Sequence, residues 1–456
     1  MKRKFVFMEK FSRKNWFLLL LFGTIGQIAW SVENMFFPSF VYDAVAPDIS
    51  TITLMVQVSG IVATVVTLIA GTLSDKIGNR RSFVSIGYII WGVTVAIFGC
   101  LSTDNIAALF GMPEAEAMKF ALVLVVVVDC VMTLFGSTAN DAAFNAWVTD
   151  NTKPSYRGTV ETVLSILPLI ALLIVAGGFG ILTGSFGYQT VFIALGLVIS
   201  ICGIAGIFIY KDSPDIQKSG NFGDIIYGFK PSVVKKHLPF YATLLSVLVF
   251  GVAIQTFMSY LIIFMEHYLH FDSFQYSLVF AIAILAGAGV NLYLGKVSDK
   301  VSKSKLLYLA SGILAVGLFV MYLAPTILDA SNPDNKVAMM IFFGIGGFIM
   351  ICGNIFSSAL NGSILRDHTP EGATGKMQGI RMFASVLVPM IVGPEIGKAI
   401  NIAQGITLED VGVDPGVNAA TTEYVPAPEI FLAGAIIALL ALAVIPLIRK
   451  AEKKVK

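Results

Sequence analysis

Four carboxylates stand inside long apolar stretches of this chain of 456 residues: Glu33, Asp129, Asp141 and Glu395. A charge at the centre of a bilayer costs about 2.5–3.5 kcal/mol on insertion scales, so such side chains need a reason to be there. Burial favours the neutral form of a carboxyl group, which can then bind and release a proton. We therefore expect Glu33 and Asp129 to be protonation sites. A structural ion pair is the alternative for both, and it is the preferred interpretation of Asp141 and Glu395.

Uncharged polar residues recur at helical spacing, a pattern suited to binding a solute rich in hydroxyl groups. Gln27, Ser31 and Asn34 lie at i, i+4 and i+7, so they share one helix face near Trp30. Amide groups would pair with hydroxyls, and aromatic rings would cover apolar faces of a sugar. The alternative for each residue is a hydrogen bond that joins two helices. The other candidates for a substrate cavity are Asn140, Gln255, Ser259, Tyr260, Asn354, Ser357, Ser358 and Asn361.

Long apolar helices must position these residues. Hydrophobic residues make up 56% of the chain and charged residues 13%, which excludes an ordinary water-soluble domain. A helix needs about 20 apolar residues to cross a bilayer, and long windows of low charge favour helices over a barrel. The sequence predicts an all-α integral membrane protein with twelve transmembrane helices. Their predicted ranges are 16–40, 51–73, 82–101, 118–148, 160–184, 189–210, 239–266, 273–296, 305–325, 337–362, 377–401 and 428–448.

Two short patterns occur twice, about half the chain apart. G-T-L-S-D-K-I-G-N-R-R occupies Gly71–Arg81, and G-K-V-S-D-K-V-S-K-S-K occupies Gly295–Lys305. The second pair begins at Asp150 and Asp367; each copy reads Asp-x-Thr, with a Gly eight residues after the Asp. Both pairs fall at predicted helix ends and in the same order. They predict two pseudo-symmetric halves with a solute site between them near the midplane of the membrane.

Each half would form a six-helix lobe, at 1–210 and 239–456, and the polar segment 211–238 would be a cytoplasmic linker. Lys and Arg cluster in one set of loops and at both termini, so the positive-inside rule puts both termini in the cytoplasm of a cell membrane. The net charge of +2 follows from this topology and indicates no nucleic-acid partner. The first apolar segment is too long for a cleaved signal peptide. The four cysteines lack metal-ligand spacing, so neither a disulfide nor a metal site is expected.

The first repeated pattern resembles the loop between the second and third helices of the major facilitator superfamily, Gly-x-x-x-Asp-x-x-Gly-x-Arg-Arg/Lys. Gly71, Asp75, Gly78, Arg80 and Arg81 match that loop. The resemblance implies that the Asp and the basic pair make charge contacts that hold an inward gate shut.

The second copy departs from the family pattern. It keeps Gly295 and Asp299 but has Ser302 in place of the second Gly, and Ser304 and Lys305 where the Arg pair would fall. Its gate contacts are therefore expected to be weaker. Further gate ion pairs are predicted at helix ends, with solvated surface charge as the alternative. These residues are Asp150, Arg157, Glu161, Asp367 and Arg381.

Two shorter stretches narrow the resemblance within the superfamily. W-S-V-E, at Trp30–Glu33, resembles a first-helix segment of proton-coupled sucrose symporters. The stretch Asn140–Thr152 is similar in placement to the end of the fourth helix in glycoside-pentoside-hexuronide:cation symporters. The sodium-coupled melibiose type carries several aspartates in its second helix, whereas this predicted helix offers no carboxylate in its interior. The resemblance therefore implies proton coupling in preference to sodium coupling.

Three classes of function compete. The leading hypothesis is a secondary active transporter, a proton-coupled symporter of a sugar or glycoside that acts as a monomer without a cofactor. The alternative within transport is an exporter, or a carrier of another small organic solute, because superfamily motifs leave the cargo open. A membrane enzyme is disfavoured by four histidines without a metal-spaced cluster and by the lack of a nucleophile motif. A receptor would need a sizeable soluble domain, which the hydropathy pattern does not offer.

Overall fold

The computed structural model describes residues 11–153, 157–213, 222–298, 301–370, 376–412 and 424–455. Within these ranges the fold is helical, and the only β feature is an isolated bridge between Thr407 and Tyr424. This confirms the predicted all-α class.

The spanning helices follow the predicted order closely. The first six crossings comprise Arg13–Phe40 with a π-helical end at Val41–Val45, Ile49–Ile77, Arg80–Phe98, Glu114–Gly136 continued through Ser137–Phe144 and Asn145–Asp150, and two crossings within the run Arg157–Ile174, Val175–Phe179 and Gly180–Ile209. The last six comprise Leu238–Met258 with end segments Leu261–Ile263 and Phe264–Tyr268, Ser273–Ser298, Lys303–Ile327, Lys336–Asp367, the run Gln378–Met382, Phe383–Leu387 and Val388–Gln404, and Glu429–Val455.

Gly187 decides the number of crossings. Eleven helical runs in the described part of the chain are long and apolar enough to span a membrane, and one of them, Thr159–Ile209, has 51 residues. A helix of that length would measure about 75 Å, more than twice the hydrocarbon thickness. Gly187 interrupts the run with φ 76° and ψ 156°, a left-handed φ that glycine tolerates. The run therefore folds back as the fifth and sixth helices, which gives twelve crossings in the described part of the chain.

An even number of crossings puts both ends of the described chain on one face of the bundle, here called the terminal face. The opposite face is called the distal face. Side chains begin the first three helices: Ser12, Asp48 and Asn79 each accept a hydrogen bond from a backbone N–H of the first turn. On the terminal face, Gly78 ends the second helix with φ 70°, and its N–H donates to the Ser74 carbonyl at 2.9 Å.

Packing within each predicted lobe is close. The third helix packs on the sixth, and the ninth packs on the tenth and twelfth. Gly92 and Gly196 bring the third and sixth helices together: a Cβ on either would lie 2.3 Å from the other's carbonyl oxygen. Contacts between the halves run from the second helix to the eleventh, from the fifth to the eighth and from the first to the seventh.

Two segments predicted as connections contain short helices. Thr103–Phe110 is helical in the distal connection after the third crossing, and Pro231–Lys236 is helical in the predicted linker. Further single 3-10 turns lie at Phe222–Asp224, Tyr227–Phe229, Pro333–Asn335 and Glu409–Val411.

Candidate functional site

Glu33 and Asp129 belong to one buried cluster between the first, second and fourth helices. Thr133 donates its hydroxyl hydrogen to Glu33 Oε1 at 3.1 Å, and its Oγ1 lies 3.2 Å from Ser59 Oγ. Ser59 Oγ in turn contacts Asp129 Oδ2. Glu33 is 8% exposed, and Asp129 is 1% exposed. Two hydroxyls therefore bridge two carboxyl groups across three helices.

The number of hydroxyl hydrogens in this cluster is smaller than the number of its oxygen–oxygen contacts. Three oxygen–oxygen contacts need three hydrogens, but the hydroxyls of Ser59 and Thr133 supply only two. If both carboxyl groups were ionised, each hydroxyl would donate to its carboxylate, and Ser59 Oγ would face Thr133 Oγ1 with no hydrogen between them. One additional proton, on Glu33 or on Asp129, completes the chain. The geometry of the cluster thus offers a place for one additional proton.

Burial without a cation supports the same protonation. Among the described residues, no ion pair reaches either carboxyl group, and Glu33 Oε2 and Asp129 Oδ1 have no hydrogen-bond partner. An isolated buried charge is strongly disfavoured, so the neutral form of at least one group is the stable one.

Asn140 lies one step toward the terminal face from this cluster. It is 2% exposed, its Oδ1 accepts a hydrogen bond from Tyr88 at 3.0 Å, and its Nδ2 lies 3.3 Å from Asp141 Oδ1. Gly26 leaves room for it, since a Cβ there would lie 2.3 Å from Asn140 Oδ1. The structure thus places Asn140 in helix packing, away from any described cavity.

A cavity of about 440 Å³ lies in the second half of the chain, toward the terminal face. The seventh, tenth and eleventh helices form its wall, with apolar side chains on most of the surface. Six polar side chains interrupt the apolar wall; one of them is Ser385, and the other five include all the predicted cavity residues that the wall contains. These five are Gln255, Asn354, Ser358, Asn361 and Arg381.

The remaining predicted cavity residues lie elsewhere. In the first helix, Asn34 donates to the Trp30 carbonyl at 2.7 Å, and the Trp30 ring packs 5.0 Å from that of Trp91. Ser357 donates to the carbonyl of its own helix at Asn354, 2.9 Å away. Four more predicted residues are buried or partly buried but do not line the cavity: Gln27, Ser31, Ser259 and Tyr260.

The distal face is sealed by contacts between the halves. The Tyr260 hydroxyl lies 2.6 Å from Thr53 Oγ1 and donates to the Pro394 carbonyl at 2.9 Å. Gln57 Nε2 donates to the Ile391 carbonyl and to Glu395 Oε2, both at 3.0 Å. The cavity therefore lies on the terminal side of a closed distal face.

An acidic and histidine cluster joins the halves at the outer edge of this seal. His267 Nε2 lies 2.8 Å from Asp43 Oδ1, and Ser39 donates to Glu266 Oε2 at 3.1 Å. Tyr188 donates to Asp43 Oδ2 at 2.8 Å. Three potential metal ligands, on Asp43, Glu266 and His267, lie within 4.8 Å of one another, but they are already paired with one another or with hydroxyls. We describe this cluster as the distal latch.

We expect the distal latch to weaken as pH rises. Burial alone would lower the pKa of the His267 imidazole, but the hydrogen bond and charge of Asp43, with the charge of Glu266, raise it. His267 lies beyond the spanning window Leu238–Met258. Its ion pair stabilises the closed distal face fully below the free histidine value of about 6.5, and this contribution is lost as pH rises through the raised pKa.

Spin labels at Asp104 and Ser331, on distal connections of the two halves, would measure this opening in a background without the native cysteines. Their distance distribution should shift to longer values between about pH 6 and about pH 9. The variant His267→Gln should not show the shift. An unchanged pH response in that variant would assign the effect to another group near the latch, such as His270 or Glu266.

On the terminal face, Arg80 is held by three side chains. Its guanidinium donates to Asp75 Oδ1 at 2.5 Å, to Asp150 Oδ2 at 3.0 Å and to Ser74 Oγ at 2.6 Å. The Arg80 side chain is 5% exposed. Arg80 therefore ties the third helix to the ends of the second and fourth, and we call this group the first terminal latch.

The neighbouring residues of the motif have other contacts. The Arg81 backbone N–H donates to Asp212 Oδ1 at 2.9 Å, and its side chain donates to the Ile207 carbonyl. Gly71 faces no crowding, since a Cβ there would meet only Ala142 at 4.0 Å. Within the first copy, Arg80 therefore contacts the ends of the second and fourth helices, and Arg81 contacts the end of the sixth.

The second copy forms a simpler contact. Lys303 Nζ lies 2.8 Å from Asp367 Oδ2, and both side chains are partly exposed. Lys303 thus makes the ion pair in this copy, although Ser304 is the residue aligned with Arg80. Gly295 lies within the eighth helix, and Asp299 lies outside the described residues.

Among the described residues, one ion pair crosses between the halves on the terminal face. Arg366 Nη1 lies 3.6 Å from Glu161 Oε2, and both side chains are largely exposed. Arg157 begins the fifth helix, but its side chain lies outside the described part. Arg381, predicted for the gate, lines the cavity instead of making an ion pair among the described residues.

Sequence reasoning missed the bridging hydroxyls, Lys303 and the distal latch. Ser59 and Thr133 were visible only as small polar residues in apolar helices, a signal shared by many packing residues. Asp43, Glu266 and His267 fall near predicted helix ends, where charge is ordinary. Their proximity depends on how the first and seventh helices pack.

Comparisons with known proteins agree with this architecture. A sequence model described as the Major Facilitator Superfamily matches residues 19–394. A bacterial homologue of the human lysosomal transporter Spinster, in an inward-facing and unoccupied conformation, has a TM-score of 0.65 and 12% identity, over 97% of this chain and 98% of that chain. No curated protein matches the chain.

Two further solved structures share the fold. A D-xylose–proton symporter has a TM-score of 0.65 and 12% identity, over 94% of this chain and 97% of its own. A nucleoside transporter, NupG, has a TM-score of 0.65 and 12% identity, over 94% and 99%. At such low identity, these likenesses establish the fold and leave the cargo open.

Proposed function

The chain belongs to the Major Facilitator Superfamily, and from that premise we propose that this transporter is a proton-coupled symporter of a sugar or glycoside. The observation that carries the proposal is the cluster of Glu33, Ser59, Thr133 and Asp129, which lacks a cation among the described residues and offers a place for one additional proton. A proton carrier in the membrane interior is what coupling to a proton gradient requires.

The coupling cycle follows from the contacts. While the distal face is open, the cluster takes up a proton from that side. Closing the distal face through Tyr260 and Gln57 excludes water from the cluster. In this dry environment only the protonated form of the cluster is stable. Opening of the terminal face then rehydrates the cluster and releases the proton. Reversal of the hydroxyl chain lets the proton enter at one carboxyl group and leave from the other.

The cargo assignment rests on the cavity wall. Gln255, Asn354 and Asn361 offer amide donors and acceptors over one face, and Leu244 and Phe250 supply apolar surface. This combination suits a sugar ring, which has polar edges and apolar faces. The basic loops support a location in the cell membrane, with the terminal face in the cytoplasm.

Purified protein in proteoliposomes would test the proposal. A panel of mono- and disaccharides is first screened for thermal stabilisation, and any stabilising sugar is then offered under imposed proton or sodium gradients. We expect uphill uptake driven by an inward proton gradient and none driven by sodium alone. Uptake driven only by sodium would refute proton coupling, and accumulation driven by an outward proton gradient would indicate an exporter.

A further inference from the structure

The cavity of the second half contains an arginine that makes no ion pair with the described carboxylates. Arg381 lies near the terminal end of the eleventh helix, and its side chain lines the cavity with Leu365 and Asn361. Its backbone N–H donates to the Met377 carbonyl at 3.2 Å, and its carbonyl accepts from Ser385 at 2.8 Å. Its guanidinium has no hydrogen bond or ion pair among the described residues.

The acidic groups nearest to this end of the cavity are engaged elsewhere. Glu161 pairs with Arg366 at 3.6 Å, and Asp367 pairs with Lys303 at 2.8 Å. Arg366 is also close enough to Arg381 for their like charges to interact. Glu161 also attracts the Arg381 charge, but it makes its ion pair with Arg366, so no described carboxylate makes an ion pair with Arg381.

A second polar atom in the same wall lacks a partner. Asn361 is 3% exposed, and its Oδ1 accepts no hydrogen bond. A buried acceptor without a donor costs about 1–3 kcal/mol, which a hydroxyl of a bound solute would recover. Asn361, on the tenth helix, and Arg381, on the eleventh, both line the cavity.

We propose that this cavity binds a sugar carrying an anionic group, with the anion on Arg381 and a hydroxyl on Asn361. A guanidinium presents a planar fork of N–H donors that matches the oxygens of a carboxylate or a phosphate. The volume of about 440 Å³ lies in the range of small-molecule sites. The inference rests on the proposed function and refines it, because it names the charge of the cargo.

Equilibrium binding to the purified full-length protein tests the anion site without requiring transport. The probes are methyl β-glucoside, its carboxylate analogue methyl β-glucuronide, and glucose 6-phosphate. We expect at least one anionic probe to bind about 10-fold or more tightly than the neutral one. Arg381→Gln should weaken that anionic probe by about 10–100-fold, the loss of one charged hydrogen-bonded contact, and should change methyl β-glucoside by less than about 2-fold.

Two variants separate recognition from general damage. Arg381→Lys keeps the charge but not the fork, so we expect it to fall between the wild type and Arg381→Gln. Lys235→Gln removes one exposed positive charge from the terminal face outside the cavity, and it should leave binding of all probes unchanged. The probe whose binding is weakened by Arg381→Gln shows whether the site prefers a carboxylate or a phosphate.

The outcomes distinguish this inference from the proposed function. A neutral sugar that binds as tightly as its anionic analogues, in both the wild type and Arg381→Gln, keeps the sugar symporter but overturns the anion site. Failure of every sugar to bind overturns the proposed cargo. In that case, binding of citrate that is lost in Arg381→Gln would still support an anion site, and its absence would overturn it.

Discussion

Replacing Glu33 by glutamine is expected to abolish proton-driven accumulation while leaving exchange of substrate across the membrane. The amide keeps the size of the side chain and can accept the hydrogen bond from Thr133, but it cannot release a proton. One coupled proton can sustain at most about a tenfold gradient of substrate for each pH unit. In Glu33→Gln the accumulation ratio should fall to about 1, measured by uptake and counterflow in the same proteoliposomes.

The bridging hydroxyls allow a sharper test of the shared proton. Ser59→Ala and Thr133→Val should slow proton-coupled uptake strongly, because either change interrupts the chain between Glu33 and Asp129. Thr64→Val is the matched control: Thr64 is also buried in the second helix, but its hydroxyl donates only to the Gly60 carbonyl of its own helix at 2.9 Å. Uphill uptake that persists in Glu33→Gln would exclude Glu33 as the coupling residue.

Replacing Arg80 by glutamine should have the largest effect on stability. The change leaves Asp75 and Asp150 without their shared cation at the ends of the second and fourth helices. Arg80 is 5% exposed, but Asp75 is 41% and Asp150 is 23% exposed, so solvent screens the two carboxylates and we expect a loss of about 1–3 kcal/mol. We expect a clear loss of thermal stability in detergent, read as a lower melting temperature of the purified variant.

Lys303→Gln is the comparison for the second half. Its pair with Asp367 is more exposed, with side-chain exposures of 36% and 56%, so its loss should cost only about 0–1 kcal/mol. The first terminal latch would then contribute more to stability than the Lys303–Asp367 pair. Equal destabilisation by the two variants would contradict that asymmetry.

Much of the architecture could be predicted because membrane helices obey local rules. Long apolar windows indicate a spanning helix wherever they occur, and repeated motifs align the halves without knowledge of their packing. Twelve crossings were readable on these grounds, whereas charge contacts of Asp75 and Arg80 were implied by the resemblance of their loop to a superfamily pattern. The contact of the second copy could not be read in this way: Lys303, one residue before the position aligned with Arg80, forms the ion pair with Asp367.

The sequence by itself determined the fold class, the two repeated motifs and the rarity of charge in the apolar helices, which singled out Glu33 and Asp129. Each of these depends on composition or on spacing along one segment. Only the tertiary structure decided that Ser59 and Thr133 connect the two carboxyl groups, that Asn140 packs against Tyr88, and that Arg381 lines the cavity without an ion pair to a described residue. Those facts depend on the rotation and depth of neighbouring helices, which apolar faces in a bilayer constrain too weakly to be read from periodicity.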